Sequence, residues 1–405
     1  MLAILSTHPI QYQVPLWQAL AKDGSVPFEV WYLSDHGSRP SFDIEFQRQF
    51  SWDIDMFAGY QSRLLTVNDG HDVARFAKLR LNEPLGKRLH DNKVKALWIQ
   101  GWQVTAYWQA VWQAAEADVP VWLRGESNDL APISLLKEPI KQLSLRRLFS
   151  KVSKFLYIGE SNRRFYKRFG IKDERLVPGY YCVDNARFNS QAEALRPRRD
   201  EIRSQWNIPS DSFCVLFAGK FIPKKRPLDL VAAVKKLIGE RAGQRIHILF
   251  VGSGELDEEL RAACDVAYEV NKDVVTSGLT DRVRASFTGF LNQTEISQAY
   301  VAADCLVLPS DYGETWGLVV NEAMASSLPC VASDACGCSE DLVQPIRPEF
   351  RFKLGDISSL ALAIESVMKS KPDSDVLLRR VDQFRLENSV ASIVSLYRSF
   401  AATGN

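Results

Sequence analysis

The chain has 405 residues, 46% hydrophobic and 24% charged, with 50 Lys and Arg against 49 Asp and Glu for a formal net charge of +1. This length exceeds one ordinary core and fits two domains. The composition is globular rather than disordered or fibrous, and the balanced charge gives no electrostatic footprint for nucleic acid. The seven cysteines, Cys182, Cys214, Cys264, Cys305, Cys330, Cys336 and Cys338, are scattered through apolar runs and read as reduced core thiols of a cytoplasmic protein. Cys336 and Cys338 have no second Cys or His pair at zinc-ligand spacing, and the five histidines are dispersed, so no metal site is expected.

Met1 to Leu5 is apolar but lacks a basic flank and runs at once into Ser6-Thr7-His8-Pro9, which reads as a first strand rather than a secretion signal. No apolar run approaches the roughly 20 residues a bilayer span needs. Short apolar runs then alternate with helical segments. Strands are expected at Leu2–Leu5, Phe28–Leu33, Ala96–Ile99, Val119–Leu123 and Phe155–Ile158, and helices at Val14–Lys22, Val104–Ala117 and Ser161–Phe169. Such alternation predicts βαβ units and a parallel sheet covered on both faces, with ligands at the loops after the strands. His8, in the first such loop, and Glu126, in Arg124-Gly125-Glu126-Ser127-Asn128, are the polar candidates there.

The stretch from Gly37 to Leu81 carries many aromatics, among them Phe42, Phe46, Phe50, Trp52, Phe57 and Tyr60, and reads either as irregular structure near an acceptor site or as the edge of the core. Pro132 to Phe155 interleaves Leu143, Leu145, Leu148 and Phe149 with Lys137, Lys141, Arg146 and Arg147. A basic amphipathic helix of this kind suits either the sheet surface or an anionic membrane face, so residues 132–155 are the candidate for peripheral contact with the inner face of a membrane. Asn189 to Ser210 is polar, includes Arg196-Pro197-Arg198-Arg199, and is read as the hinge between domains 1–195 and 205–385. A helical tail over 386–405 has the N-terminal domain as a surface to pack back on.

The alternation restarts with strands at Phe213–Phe217, Ile246–Val251, Arg284–Phe287, Cys305–Leu308 and Pro329–Ala332, and helices at Leu228–Gly239, Asp257–Glu269, Gln293–Ala303 and Val319–Ser326. The first strand runs into Gly219-Lys220-Phe221-Ile222-Pro223-Lys224-Lys225, the second into Gly252-Ser253-Gly254, and the third into Gly289-Phe290. After the fourth comes Pro309-Ser310-Asp311-Tyr312-Gly313-Glu314, then Thr315, Trp316, Gly317, Leu318 and a helix holding Glu322. A strand, loop and helix N-terminus in that order aim backbone N–H groups at one spot, which suits a phosphate.

Glu314 and Glu322, with Gly317-Leu318 and Asn321-Glu322-Ala323-Met324-Ala325 around them, resemble the E-x7-E signature of retaining GT-B glycosyltransferases of family 4. The resemblance covers most of the second domain by motif and the first by architecture only. It implies an α/β fold of two Rossmann-like domains facing each other across a cleft (GT-B). The N-terminal domain would take a glycan or lipid-linked acceptor and the C-terminal domain a nucleotide-diphosphate sugar. Transfer would retain anomeric configuration and need neither metal nor cofactor. It implies that Glu314 faces the transferred sugar, that Lys220 and Lys225 and the amides of Gly317 and Leu318 meet the diphosphate, and that Glu322 meets the ribose. Gly219, Gly252, Gly254, Gly289, Phe290, Thr315 and Trp316 complete the donor-binding set. Lys220 departs from the usual Arg, keeping the charge and losing the planar fork. On the acceptor side, His8-Pro9-Ile10-Gln11 stands where many relatives carry glycines, and Gly125-Glu126-Ser127-Asn128 where a histidine is common. Two further readings of the same residues are a sugar-nucleotide epimerase or hydrolase of this fold, and a non-catalytic sugar-nucleotide-binding module.

Overall fold

The computed structural model describes residues 1–36, 41–43, 48–50, 54–68, 76–132, 138–240, 245–272, 274 and 282–402. The chain divides into two compact units: Met1–Ser41, Ile54–Cys182 and Arg385–Asn405 form the first, Phe42–Asp53 and Val183–Phe384 the second.

The chain begins β1 (Leu2–Ser6), α1 (Val14–Asp23), β2 (Phe28–Tyr32), β3 (Ser41–Asp43), β4 (Arg48–Phe50), β5 (Ser62–Leu64), β6 (Val67–Asn68), β7 (Arg80–Leu81), α2 (Leu85–Asp91) and β8 (Ala96–Ile99). It continues α3 (Thr105–Glu116), β9 (Val121–Leu123), α4 (Glu138–Phe149), β10 (Lys154–Tyr157), α5 (Glu160–Arg168) and β11 (Leu176–Pro178). Seven of these strands form one sheet in the order β11-β10-β9-β8-β1-β2-β5, with every neighbouring pair parallel. All five residues of β1 and all four of β8 are buried, as continuous apolar runs in a doubly covered parallel sheet should be. The order places β2 and β5 on one side of β1 and β8 to β11 on the other, so the topological switch point lies between β1 and β8.

One face of this sheet packs Ala3, Leu5, Leu97 and Ile99 against α3 and α4, through Tyr107, Ala110, Val111, Leu145 and Leu148. The other packs Leu2, Ile4, Trp98 and Trp122 against Leu16, Trp17 and Leu20 of α1 and against the chain's last helix, α14 (Leu386–Ala402). Val390, Ile393, Val394 and Tyr397 of α14 repeat at helical spacing and point into that layer. Each such burial is worth about 1.5–3 kcal/mol. The C-terminal segment therefore completes the core of the first unit.

The second unit runs α6 (Asn185–Leu195), α7 (Arg199–Gln205), β12 (Phe213–Ala218), α8 (Pro227–Glu240), β13 (Ile246–Val251), α9 (Asp257–Ala263), β14 (Cys264–Glu269), β15 (Val283–Gly289), α10 (Ser297–Ala302) and β16 (Cys305–Leu308). It then forms α11 (Leu318–Ala325), β17 (Cys330–Ser333), β18 (Arg351–Phe352), α12 (Ile357–Lys369) and α13 (Ser374–Val381). Its sheet has the order β14-β15-β13-β12-β16-β17-β18, again wholly parallel, with a switch point between β12 and β16.

Several elements differ from the sequence expectations. The helix expected over Asp257–Glu269 ends at Ala263, because Cys264 to Glu269 adds to β15 as an edge strand. The helix expected from Gln293 starts at Ser297. The stretch expected as an inter-domain hinge is largely helical, in α6 and α7, and the division between units falls at Cys182/Val183. Its arginines look like linker residues in sequence, yet Arg199 pairs with Asp304 at 2.8 Å, and Arg203, only 2% exposed, donates to the Pro209 and Ser212 carbonyls at 2.7 and 2.6 Å. Phe42, Phe46, Phe50 and Trp52 have side chains outside the described set. Tyr60 seals a core edge through a 2.8 Å bond between its hydroxyl and that of Tyr32. All seven cysteines are free and buried. Among the described residues no helix is long and apolar enough to cross a membrane.

His247, inside β13, is 1% exposed and bonds Ser286 of β15 through Nε2 at 2.8 Å. The Ser286 hydroxyl proton is used on the Trp206 carbonyl, so Nε2 is the donor and Nδ1 the bare nitrogen, which among the described residues has no acceptor to stabilise a second proton. Burial, and then the nearby Arg284 and Arg203 charges, push His247 down from 6.5 to about 3. The unfolded chain takes up this proton below about pH 6.5 while the fold resists it, so the contribution is complete above that pH and is lost as pH falls towards 3. The thermal midpoint should therefore drop between pH 6.5 and 4.5, and His247→Gln should make that slope shallower; an unchanged slope in a folded variant would show that His247 does not carry it.

Candidate active site

Four loops at the carboxyl edge of the second sheet come from adjacent strands, β15, β13, β12 and β16. Backbone hydrogen bonds tie three of them together. Gly219 N–H donates to the Val251 carbonyl at 2.9 Å, Phe221 N–H to Ser253 at 2.9 Å, and Gly252 N–H to Gly289 at 2.9 Å. Gly252 and Gly254 are required by this packing. A Cβ on Gly252, at φ +136°, would lie 2.0 Å from the Gly219 carbonyl oxygen, and one on Gly254, at φ +159°, 2.5 Å from that of Phe221. Asp257 of α9 caps Gly254 N–H at 3.3 Å.

Across the switch point, Asp311 N–H donates to the Lys224 carbonyl at 2.8 Å, and Gly313 and Glu314 N–H turn back onto Asp311. This brings the Lys225 ammonium onto the Glu314 carboxylate, a pair whose side chains are 22% and 14% exposed. Lys220 is half-buried on the loop after β12, and Phe290 and Thr315 are half-buried on their loops. Gly317 caps α11 at φ 106° and ψ 61°. Its Cβ would stand 2.6 Å from Leu308 Cδ2 and 3.2 Å from Cys338 Sγ. Trp316 is buried and donates its indole N–H to Asn321 at 2.9 Å, locking the loop onto the helix that Leu318 opens.

Glu322 takes a more interior position than its partner in the motif: it is 3% exposed and accepts a hydrogen bond from the Tyr300 hydroxyl of α10. Arg187 of α6 holds the loop after β15 by donating to the Gln293 carbonyl and amide oxygens at 2.9 and 2.7 Å. Tyr300 and Arg187 belong to no motif, so no local pattern in the sequence marks them.

In the first unit, His8 follows β1, with Thr7 Oγ1 2.9 Å from its Nδ1 and the His36 ring 5.4 Å away. Burial, then the His36 charge, push His8 down to about 4, so it is neutral at pH 7. Glu126 accepts from the Tyr181 hydroxyl, while the Arg124 guanidinium lies over the Tyr181 ring, 4.5 Å from its centroid. The loop is pinned from α5: Tyr166 accepts from Gly125 N–H at 2.8 Å, and Asn162 donates to the Gly125 and Ser127 carbonyls at 3.1 and 2.5 Å. Gly125 is needed here because the Trp102 ring occupies the space of a Cβ, 1.8 Å away. Among the described residues no group of three or more His, Cys, Asp or Glu side chains is placed to hold a metal ion.

Residues 198–381 match the family model described as Glycosyl transferases group 1. A stretch of 195 residues is 29% identical to the sulfoquinovosyl transferase SQD2 of Arabidopsis thaliana, covering 48% of this chain and 32% of that protein. The alignable part spans under half the length of the curated relatives it matches. Among solved structures, a glycosyltransferase from Rickettsia africae aligns over 99% of this chain and 98% of its own at a TM-score of 0.68 and 13% identity. The Anabaena protein HepE in complex with UDP and glucose aligns over 98% and 99% at 0.64 and 16%. The two parallel-sheet α/β units thus have the GT-B fold, and residues 198–381 are similar to the Glycosyl transferases group 1 family.

Proposed function

We propose that the protein transfers a sugar from a nucleotide-diphosphate sugar to a glycan or lipid-linked acceptor, with retention of configuration and without a metal. The observation that carries this reading is the meeting of Lys225 and Glu314 over the switch point of the second sheet. A cation, a carboxylate and the amides opening α11 stand together where open α/β sheets take nucleotides. HepE, a structural neighbour, was solved with UDP and glucose, which supports a nucleotide sugar as the donor class.

In this mechanism Lys220, Lys225 and the Gly317 and Leu318 amides stabilise the charge that grows on the diphosphate as its bond to the sugar breaks. The acceptor hydroxyl attacks the anomeric carbon from the same face, and the leaving phosphate oxygen takes its proton. Glu314 faces the sugar, Glu322 reaches the ribose, and Glu126 or His8 serves the acceptor side. A hydrolase or epimerase would leave the acceptor-side groups without purpose, and a binding module would release no nucleotide. The cationic outer face of α4 is the proposed contact with an anionic membrane surface. Its Leu145, Leu148 and Phe149 are buried in the core, while Lys141, Arg146 and Arg147 are exposed beside Leu143, which is 73% exposed. Lys137 lies outside the described residues.

Glu314→Gln should lower the transfer rate by on the order of a hundredfold with donor affinity retained. Unchanged turnover with added acceptor, in the presence of EDTA, would remove its role. Lys225→Ala should weaken a nucleoside diphosphate far more than the nucleoside, read by calorimetry; equal weakening sinks the diphosphate contact. Gly317→Ala should destabilise the second unit by about 1–3 kcal/mol in denaturant titration, since it combines positive φ with a clash. Neutralising Lys141, Arg146 and Arg147 together should reduce sedimentation with phosphatidylglycerol vesicles, and an unchanged pellet would return α4 to an ordinary surface helix.

A further inference from the structure

Three neighbouring strands of the first unit end on buried polar side chains. The register pairs Leu5 of β1 with Ile99 of β8, and Ile99 with Leu123 of β9. The ladder continues one residue further, with Gln100 N–H donating to the Leu5 carbonyl at 3.0 Å and Arg124 N–H to that of Ile99 at 2.9 Å. Ser6, Gln100 and Arg124 therefore form the next row, projecting to one face of the sheet. They stand at the carboxyl ends of strands on both sides of the β1/β8 switch point, the place where such sheets bind ligands.

All three are buried, at 0%, 8% and 4% exposure. Ser6 is satisfied, donating to the His8 carbonyl at 3.1 Å. Gln100 is not, because neither its amide oxygen nor its amide nitrogen has a partner among the described residues. Arg124 Nε is likewise buried without an acceptor, and the guanidinium rests on the face of Tyr181. The carboxylate two residues away, Glu126, is engaged instead by the hydroxyl at the edge of that ring. Leaving a buried amide or guanidinium N–H without a hydrogen-bond partner is destabilising. Such a row is kept where something else completes it.

We propose that Gln100 and Arg124 form a subsite for an anionic sugar or polyol, Arg124 taking a phosphate or carboxylate and Gln100 the hydroxyl beside it. The guanidinium fork matches two anionic oxygens. The Gln100 amide oxygen needs a donor, which an anion lacks and a hydroxyl supplies, while its amide nitrogen donates to the same group. The inference rests on the proposed function only in identifying this ligand as the acceptor.

Calorimetry on the full chain with glucose 6-phosphate, glucuronate, glucose, inorganic phosphate and UDP tests it. Glucose 6-phosphate or glucuronate should bind at least tenfold tighter than glucose, and which of the two wins identifies the anion. Arg124→Gln should abolish that preference and keep UDP binding. Lys225→Ala should keep the preference, whereas its loss there would place the anion at the donor site and overturn the subsite. Gln100→Leu should weaken glucose 6-phosphate several-fold with inorganic phosphate unaffected, and this variant decides the matter if Arg124→Gln does not fold. Equal binding of glucose and the anionic sugars, or no binding of either anion, overturns the proposal. Failure of UDP to bind the parent chain counts against the donor reading alone.

Discussion

The second unit depends on backbone packing against backbone at one sheet edge. Gly252 lies where any Cβ would strike the Gly219 carbonyl, and Gly254 where it would strike Phe221. These contacts are closed mainly by main-chain hydrogen bonds, with the Asp257 side chain capping Gly254 N–H, so the loops after β12 and β13 are held by the fold itself. On that rigid platform the half-buried Lys225 meets Glu314 from the far side of the switch point. A pair so little exposed is held by more than solvent-screened attraction, and removing one member strands the other.

The first unit handles polarity differently. Its sheet is apolar on both faces up to Leu5 of β1 and Ile99 of β8, then turns polar in the next row, at Ser6 and Gln100. The loop that follows β9 is bonded to Asn162 and Tyr166, so Glu126 and Arg124 sit on a fixed frame. Buried polar groups with incomplete partners lower stability, and natural folds keep such inconsistencies where function requires them. That core also draws on both ends of the chain, since α1 and α14 cover the same face.

Much of the fold was legible because parallel strands buried on both faces are continuous apolar runs, and β8, β13 and β16 have the bounds their composition suggests. The errors have identifiable causes. Cys264 to Glu269 has helix-compatible composition, and only pairing with β15 makes it a strand. The arginines of 196–203 look like solvated linker residues until Asp304 and the Pro209 and Ser212 carbonyls are seen to hold Arg199 and Arg203.

By itself the sequence determined the two alternating α/β halves, the glycine and lysine loops after β12, and the Glu314 to Glu322 element, because each is a local pattern of period, turn and charge. Only the tertiary structure decided which of these meet. Lys225 and Glu314 lie 89 residues apart, and their contact follows from the strand order that makes β12 and β16 neighbours. Glu322 is turned inward onto Tyr300, and Arg124 rests on the Tyr181 ring. The physical reason is that a side chain's partner is set by sheet register and helix packing, which sum over the whole chain, whereas its type is set at a single position.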